Sequence, residues 1–182
     1  MFVLALGLGW LGFFDRQQSF VDLARQLREQ FSLLVGHAIL GTLALVLLAS
    51  SIEWLPFAWL QRFRTEILET VAPIFRGLPW RKVALISISA GIGEEFLFRW
   101  AIQGGLQEIG WTPAAALMAA SLLFGVCHFL SPLYAVYATL AGLILGLQML
   151  LSGSVWPGLV AHALYDFIAI LYLARIAPAP AN

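Results

Sequence analysis

Apolar residues run along the chain in blocks of about twenty, separated by short polar or Gly/Pro-containing turns. That spacing has a physical meaning, because ~30 Å of hydrocarbon takes about 20 helical residues to cross. Lipid offers the backbone no hydrogen-bond partners, so only helices or closed barrels span it, and blocks this long are helical. Five are clear. Residues 33–52 carry His37 as their only ionisable group, and 83–107 hold Glu94, Glu95 and Arg99 mid-run. Residues 113–130 follow a Gly-Trp-Thr turn, with Pro113 where the first helical turn favours it. Residues 133–151 lie between Ser131-Pro132 and Ser152-Gly153-Ser154, and 155–173 carry His162 and Asp166. The opening run, 1–14, rises only ~21 Å and lacks the basic flank of a signal peptide. It reads as a short sixth span.

Two more polar stretches keep helical apolar spacing: Phe20, Leu23, Leu27 and Phe31, then Leu60, Phe63, Ile67, Val71 and Ile74. Each fits either an amphipathic helix in the membrane interface or an ordinary connecting helix. Trp54, Trp59, Trp80, Trp111 and Trp156 fall near span ends, where an aromatic belt places them. The expectation is an all-α, polytopic transmembrane helical bundle of about six spans with one or two interfacial amphipathic helices. It forms a single membrane-embedded domain over 1–182, and the Ala/Pro tail is expected to be frayed.

Composition agrees, since 61% of residues are hydrophobic and 11% charged, against ~25% charged in soluble domains. Ten basic and ten acidic residues cancel, which removes the basic footprint of nucleic-acid binding. One cysteine, Cys127, permits no intrachain disulfide and no Cys-x-x-Cys site. With six spans, Arg62, Arg64, Arg76, Arg81, Lys82 and Arg175 share one side, and Arg16, Arg25 and Arg28 the other. The larger basic set belongs in the cytoplasm, which puts both termini inside.

Ionisable residues inside spans are costly and usually functional. The set is short: Glu94, Glu95, Arg99, His128, His162, Asp166 and, less centrally, His37. Glu95 and Arg99 are four apart and can pair within the membrane, which leaves Glu94 without a helical partner. His162 and Asp166 share a helical face, as do Phe124 and His128. If the three helices pack together, two imidazoles and a free carboxylate converge. Such a group can strip a proton from water while another donor stabilises an oxyanion; a polar network that only joins helices is the plainer alternative.

These residues stand in recognisable motifs. Glu94-Glu95-Phe96-Leu97-Phe98-Arg99 matches E-E-x-x-x-R, Phe124 to His128 matches F-x-x-x-H, and His162 to Asp166 matches H-x-x-x-N/D. The chain thereby resembles the CPBP (Abi) family of intramembrane proteases, which includes the CAAX prenyl endopeptidases of the Rce1 type and bacteriocin-processing proteins. The resemblance covers roughly 83–173, the family-like catalytic core. It implies a glutamate-dependent endopeptidase in which Glu94 and His128 activate water while His162 and Asp166 stabilise the oxyanion. Glu95 and Arg99 form a structural ion pair, and no cofactor is required. The prenyl endopeptidases carry Asn where this chain has Asp166. That departure removes the substrate inference. Because the chain is short and bacterium-like, with no long extramembrane domain expected, the substrate expected is a membrane-embedded or membrane-tethered peptide rather than a prenylated CAAX protein, and the setting a bacterial inner membrane.

An ionised Asp166 would repel an oxyanion, so it acts as a direct donor only when protonated. Otherwise it accepts a hydrogen bond from His162, fixes the ring's tautomer and leaves the other N–H for the oxyanion. Other chemistries compete less well. Glu94, His128 and His162 form a two-His, one-Glu set of the kind that holds catalytic Zn²⁺, but H-E-x-x-H is absent. Cys127 diverges from His128 around the helix, and Ser154 sits in a turn. The main rival is a non-proteolytic scaffold or partner-binding subunit of a larger membrane complex.

Overall fold

The computed structural model describes residues 20–176, which are 88% helical, with no strand among them. The expected opening span, 1–14, and the Ala/Pro tail lie outside the described residues. The helices are α1 (Phe20–Glu29), α2 (Phe31–Trp54), α3 (Ala58–Glu66), α4 (Ala72–Phe75), α5 (Trp80–Glu94), α6 (Gly104–Glu108), α7 (Pro113–Cys127), α8 (Pro132–Ser152) and α9 (Trp156–Ile176). Two π-helical segments join them: Ile67–Val71 between α3 and α4, and Glu95–Gln103 between α5 and α6.

Three helices, α2, α8 and α9, are long and apolar enough to cross a membrane. Their apolar residues point outward in quantity, as with Leu40, Leu43, Leu47, Leu151 and Val136, all more than half exposed. A surface of this kind is matched by lipid rather than water. The chain is a membrane protein. The expected count of about six spans is not reached among the described residues on length and composition. Helix α7 is apolar but has 15 residues, a rise of ~22 Å, and the stretch expected to cross as 83–107 is divided by its π segment.

Helix ends follow local chemistry. Thr112 accepts a hydrogen bond from the Ala115 N–H at the start of α7, and Ser131 accepts one from Tyr134 at the start of α8. Pro113 and Pro132 occupy the first turns, and Gly153, at φ +66°, closes α8 in the left-handed region that favours glycine. Trp54, Trp80 and Trp111 are exposed at or beside helix ends, in the positions of an aromatic belt.

Helix α9 is the hub, packed against α2, α5 and α8, while α7 packs against α8 and the second π segment. Small residues allow the close approaches. A Cβ on Gly91 of α5 would sit 3.0 Å from both the Ala163 Cβ and the Leu159 carbonyl of α9. The two amphipathic stretches separate in behaviour. Leu27 and Phe31 are exposed, and α1 packs on α2. In the second stretch Leu60, Phe63 and Val71 are buried and only Ile74 is open, because Leu60 and Phe63 cluster with Ile52, Tyr134 and Tyr137. That segment belongs to the bundle.

Candidate active site

Glu94 ends α5 and Glu95 begins the π segment, so two adjacent carboxylates leave the helix at its change of winding. π-Helical turns are often found at functional sites. The segment is buried around nearly its whole circumference, including Glu95 and Arg99, neither of which reaches solvent. Oε2 of Glu95 lies 3.3 Å from Nε of Arg99. None of the three guanidinium nitrogens has a hydrogen bond among the described residues. The guanidinium instead faces the ring of Phe124, 4.9 Å from its centroid, and that of Phe98 at 5.9 Å. A charge so placed depends on Glu95.

Oε2 of Glu94 lies 3.4 Å from Nε2 of His128 and 3.9 Å from Nε2 of His162. His128 is the C-cap of α7, not a residue within it, and its Nδ1 lies 2.8 Å from the Phe124 carbonyl. A carbonyl only accepts, so Nδ1 carries the proton and donates, and Nε2 is the nitrogen turned to Glu94. The expected span 113–130 placed His128 only ~3 Å from its end, at odds with the mid-span Glu94. The structure removes the conflict by ending α7 early, so the turn into α8 begins at the level of the site.

Nδ1 of His162 lies 2.9 Å from Oε1 of Glu95, while Oδ2 of Asp166 is 3.6 Å from Nε2 of the same ring. Glu95, the counter-ion of Arg99, accepts from Nδ1–H. This corrects the expectation that Asp166 fixes the tautomer and leaves the other nitrogen for an oxyanion. Glu95 takes that role, and Asp166 instead flanks the ring nitrogen that faces Glu94. Glu95 is thus more than a partner for Arg99.

Phe124 has a role its motif did not disclose. The His128 ring stacks on it at 4.3 Å and 26°, His162 meets it near edge-on at 6.0 Å, and Phe98 packs on it at 5.0 Å. One phenyl ring therefore borders both imidazoles and the guanidinium. His37, half-buried on α2, takes no part in this group. Side-chain exposure grades the site: 0% for Glu95 and Arg99, 7% for His162, 16% for Glu94, 21% for Asp166 and 31% for His128. Glu94, Asp166 and the two imidazoles border a cavity of about 750 Å³ that runs on to Tyr172 near the end of α9.

Tyrosines 134, 137 and 165 also line this cavity, and the Tyr137 and Tyr165 hydroxyls are 2.6 Å apart. Sequence reasoning missed them, since aromatic residues in an apolar helix look like core. Among the described residues, no group of three or more His, Cys, Asp or Glu side chains could hold a metal ion. Chemically, the arrangement places a partly exposed carboxylate between two oriented imidazole nitrogens at the end of a largely apolar chamber.

The sequence model of the family described as Type II CAAX prenyl endopeptidase Rce1-like matches residues 76–168, just over half of the chain. That match contains all six residues from Glu94 to Asp166 discussed above. No curated protein and no solved structure matches the chain.

Proposed function

This chain belongs to the Type II CAAX prenyl endopeptidase Rce1-like family, and on that premise we propose that it is an intramembrane endopeptidase whose water nucleophile is activated by Glu94 and His128. The observation that supports this most is the shared aim of the two imidazoles, whose Nε2 atoms lie 3.4 and 3.9 Å from one oxygen of Glu94. A water bound between Glu94 and His128 gives up a proton as its oxygen attacks the scissile carbonyl carbon. His162, held through Nδ1–H by Glu95, offers its Nε2–H to the oxyanion when doubly protonated. Collapse of the tetrahedral intermediate breaks the C–N bond, and the proton taken from water passes to the leaving nitrogen. No metal enters this sequence.

The substrate class proposed is a membrane-embedded or membrane-tethered peptide, because the chamber is largely apolar and begins at the catalytic group. The setting we propose is a bacterial inner membrane; with the six expected spans, the clustering of Arg62, Arg64, Arg76, Arg81, Lys82 and Arg175 supports cytoplasmic termini. The test is reconstitution into vesicles with a panel of single-span peptides, with products read by mass spectrometry. Cleavage that disappears with Glu94→Ala supports the reading. An intact panel, together with stoichiometric co-purification in a larger membrane complex, would favour the scaffold.

A further inference from the structure

The cavity's far end is bordered by a polar group that the proposed chemistry does not use. Glu53, the penultimate residue of α2, lies with Oε2 2.6 Å from Nε of Arg64 on α3, and its Oε1 accepts from the Tyr172 hydroxyl of α9 at 3.3 Å. Three helices are thus tied at one point, and all three residues line the cavity. Arg64 belongs to a segment whose backbone is broken at both ends. Its far half, Ile67 to Phe75, supplies Ile67, Leu68, Val71 and Phe75 to the cavity wall. Leu60 and Phe63 anchor its near half in the cluster with Tyr134 and Tyr137. At one boundary, Leu55 and Phe57 are extended around Pro56, which has no N–H to continue a helix. At the other, Gly77 sits at φ +67°. A π-helical turn lies between them.

We infer that Glu53, Arg64 and Tyr172 form a latch that holds the segment 64–75 over the chamber, so that access to the catalytic group is set by an ion pair that can open. The pair suits a latch better than a fixed brace. Both side chains are about one-third exposed, at 35% and 34%, so water can take over their interactions when they part. The apolar wall behind them cannot be wetted so easily, and it recloses by burying Ile67, Leu68, Val71 and Phe75. The inference rests on the reading of this cavity as the active-site chamber, but its test does not rest on proteolysis.

The experiment follows the accessibility of a cavity cysteine in the full chain reconstituted in vesicles. Cys127, the exposed native thiol, is first replaced by Ser. Ala169, which lines the cavity one turn beyond Asp166, is then replaced by Cys and labelled with a negatively charged, water-soluble maleimide. Arg64→Ala and Tyr172→Phe should each speed labelling by about two- to fivefold, the scale set by one partly exposed ion pair. The charge swap, Glu53→Arg with Arg64→Glu, should return the rate to within about twofold of the parent, which a merely loosened fold would not do. Unchanged rates in the single variants overturn the latch, and so does a swap as fast as the singles. Absence of peptide cleavage would count against the protease reading alone, because the labelling rates decide the latch without it.

Discussion

His162 hands its Nδ1 to Glu95 at 2.9 Å while Glu95 holds Arg99 with its other oxygen at 3.3 Å, so one buried carboxylate both orients an imidazole and neutralises a guanidinium. The two adjacent glutamates therefore carry different burdens. Glu95→Gln keeps a hydrogen-bond acceptor for His162 but strands a fully buried cation, and breaking such a pair costs about 3–5 kcal/mol. Glu94, with 16% of its side chain exposed, has no such dependent. Glu94→Gln should leave thermal stability close to the parent and abolish peptide cleavage; Glu95→Gln should lower both. Melting curves of the two variants in the same detergent check this, and the opposite ranking would exchange their roles.

Asp166 sits beside the ring edge of His162 that faces Glu94, 3.6 Å from Nε2, with the opposite nitrogen already occupied by Glu95. Its charge is not needed to fix the tautomer. Asparagine retains an oxygen that can accept from Nε2–H and adds an N–H that can donate to an oxyanion without repelling it. Asp166→Asn should therefore keep activity within about tenfold of the parent, whereas Asp166→Ala, which removes the polar flank, should lose about 10²-fold or more in kcat. Steady-state rates on one cleavable peptide separate the cases. An Asn variant as impaired as Ala would mean the negative charge itself is required.

Much of this was legible in the sequence because lipid makes polarity conspicuous. Glu94, Glu95, Arg99, His128, His162 and Asp166 stand out from apolar runs, and their spacings of four put pairs on shared faces. Those residues do meet in the structure. What spacing could not show was the change of helix type at Glu95, since a π turn leaves no mark on apolar periodicity. Nor could it show that α7 stops at Cys127, which brings His128 to the depth of Glu94. The pairing of Glu95 with His162 joins residues 67 positions apart, and no local pattern encodes it. The second amphipathic stretch was half legible: its periodicity marks a buried face, but only tertiary contacts decide between bundle and lipid interface.

The donor types at the site also pose a metal question that chemistry can answer. The proposed mechanism takes its proton transfer from Glu94 and His128 and draws no Lewis acid into the step. Incubation with excess phenanthroline or EDTA, followed by removal of the chelator, should leave the cleavage rate within about twofold of untreated protein. Loss of activity that Zn²⁺ alone restores would replace the water-activation scheme with a metal-bound nucleophile at Glu94, His128 and His162.

Glycine at position 125 ties helix packing to the geometry of the proposed active site. It lies on α7 three residues before His128, and a Cβ there would collide with Oγ1 of Thr139 and come 2.6 Å from the Ala135 carbonyl of α8. Thr139 cannot simply turn away, because its hydroxyl donates to that same carbonyl at 2.8 Å, and the backbone oxygen is fixed in the helix. Gly125→Ala should therefore push α7 from α8, with an overpacking cost of about 1–3 kcal/mol. The same displacement would carry His128 off its 3.4 Å approach to Glu94, and misplacement of a reacting group by ~1 Å can cost 10²-fold in rate. Gly36, in α2, is the control, since a Cβ there meets nothing within 4 Å. Gly36→Ala should match or exceed the parent's stability, as alanine is favoured over glycine in a helix interior by about 0.5–1 kcal/mol. Adding Thr139→Ala to Gly125→Ala removes the nearest clash but not the carbonyl, so it should recover part of the melting temperature and only part of the turnover. A Gly125→Ala variant as stable and active as the parent would show that α7 can shift without moving His128, and would uncouple this helix contact from the site.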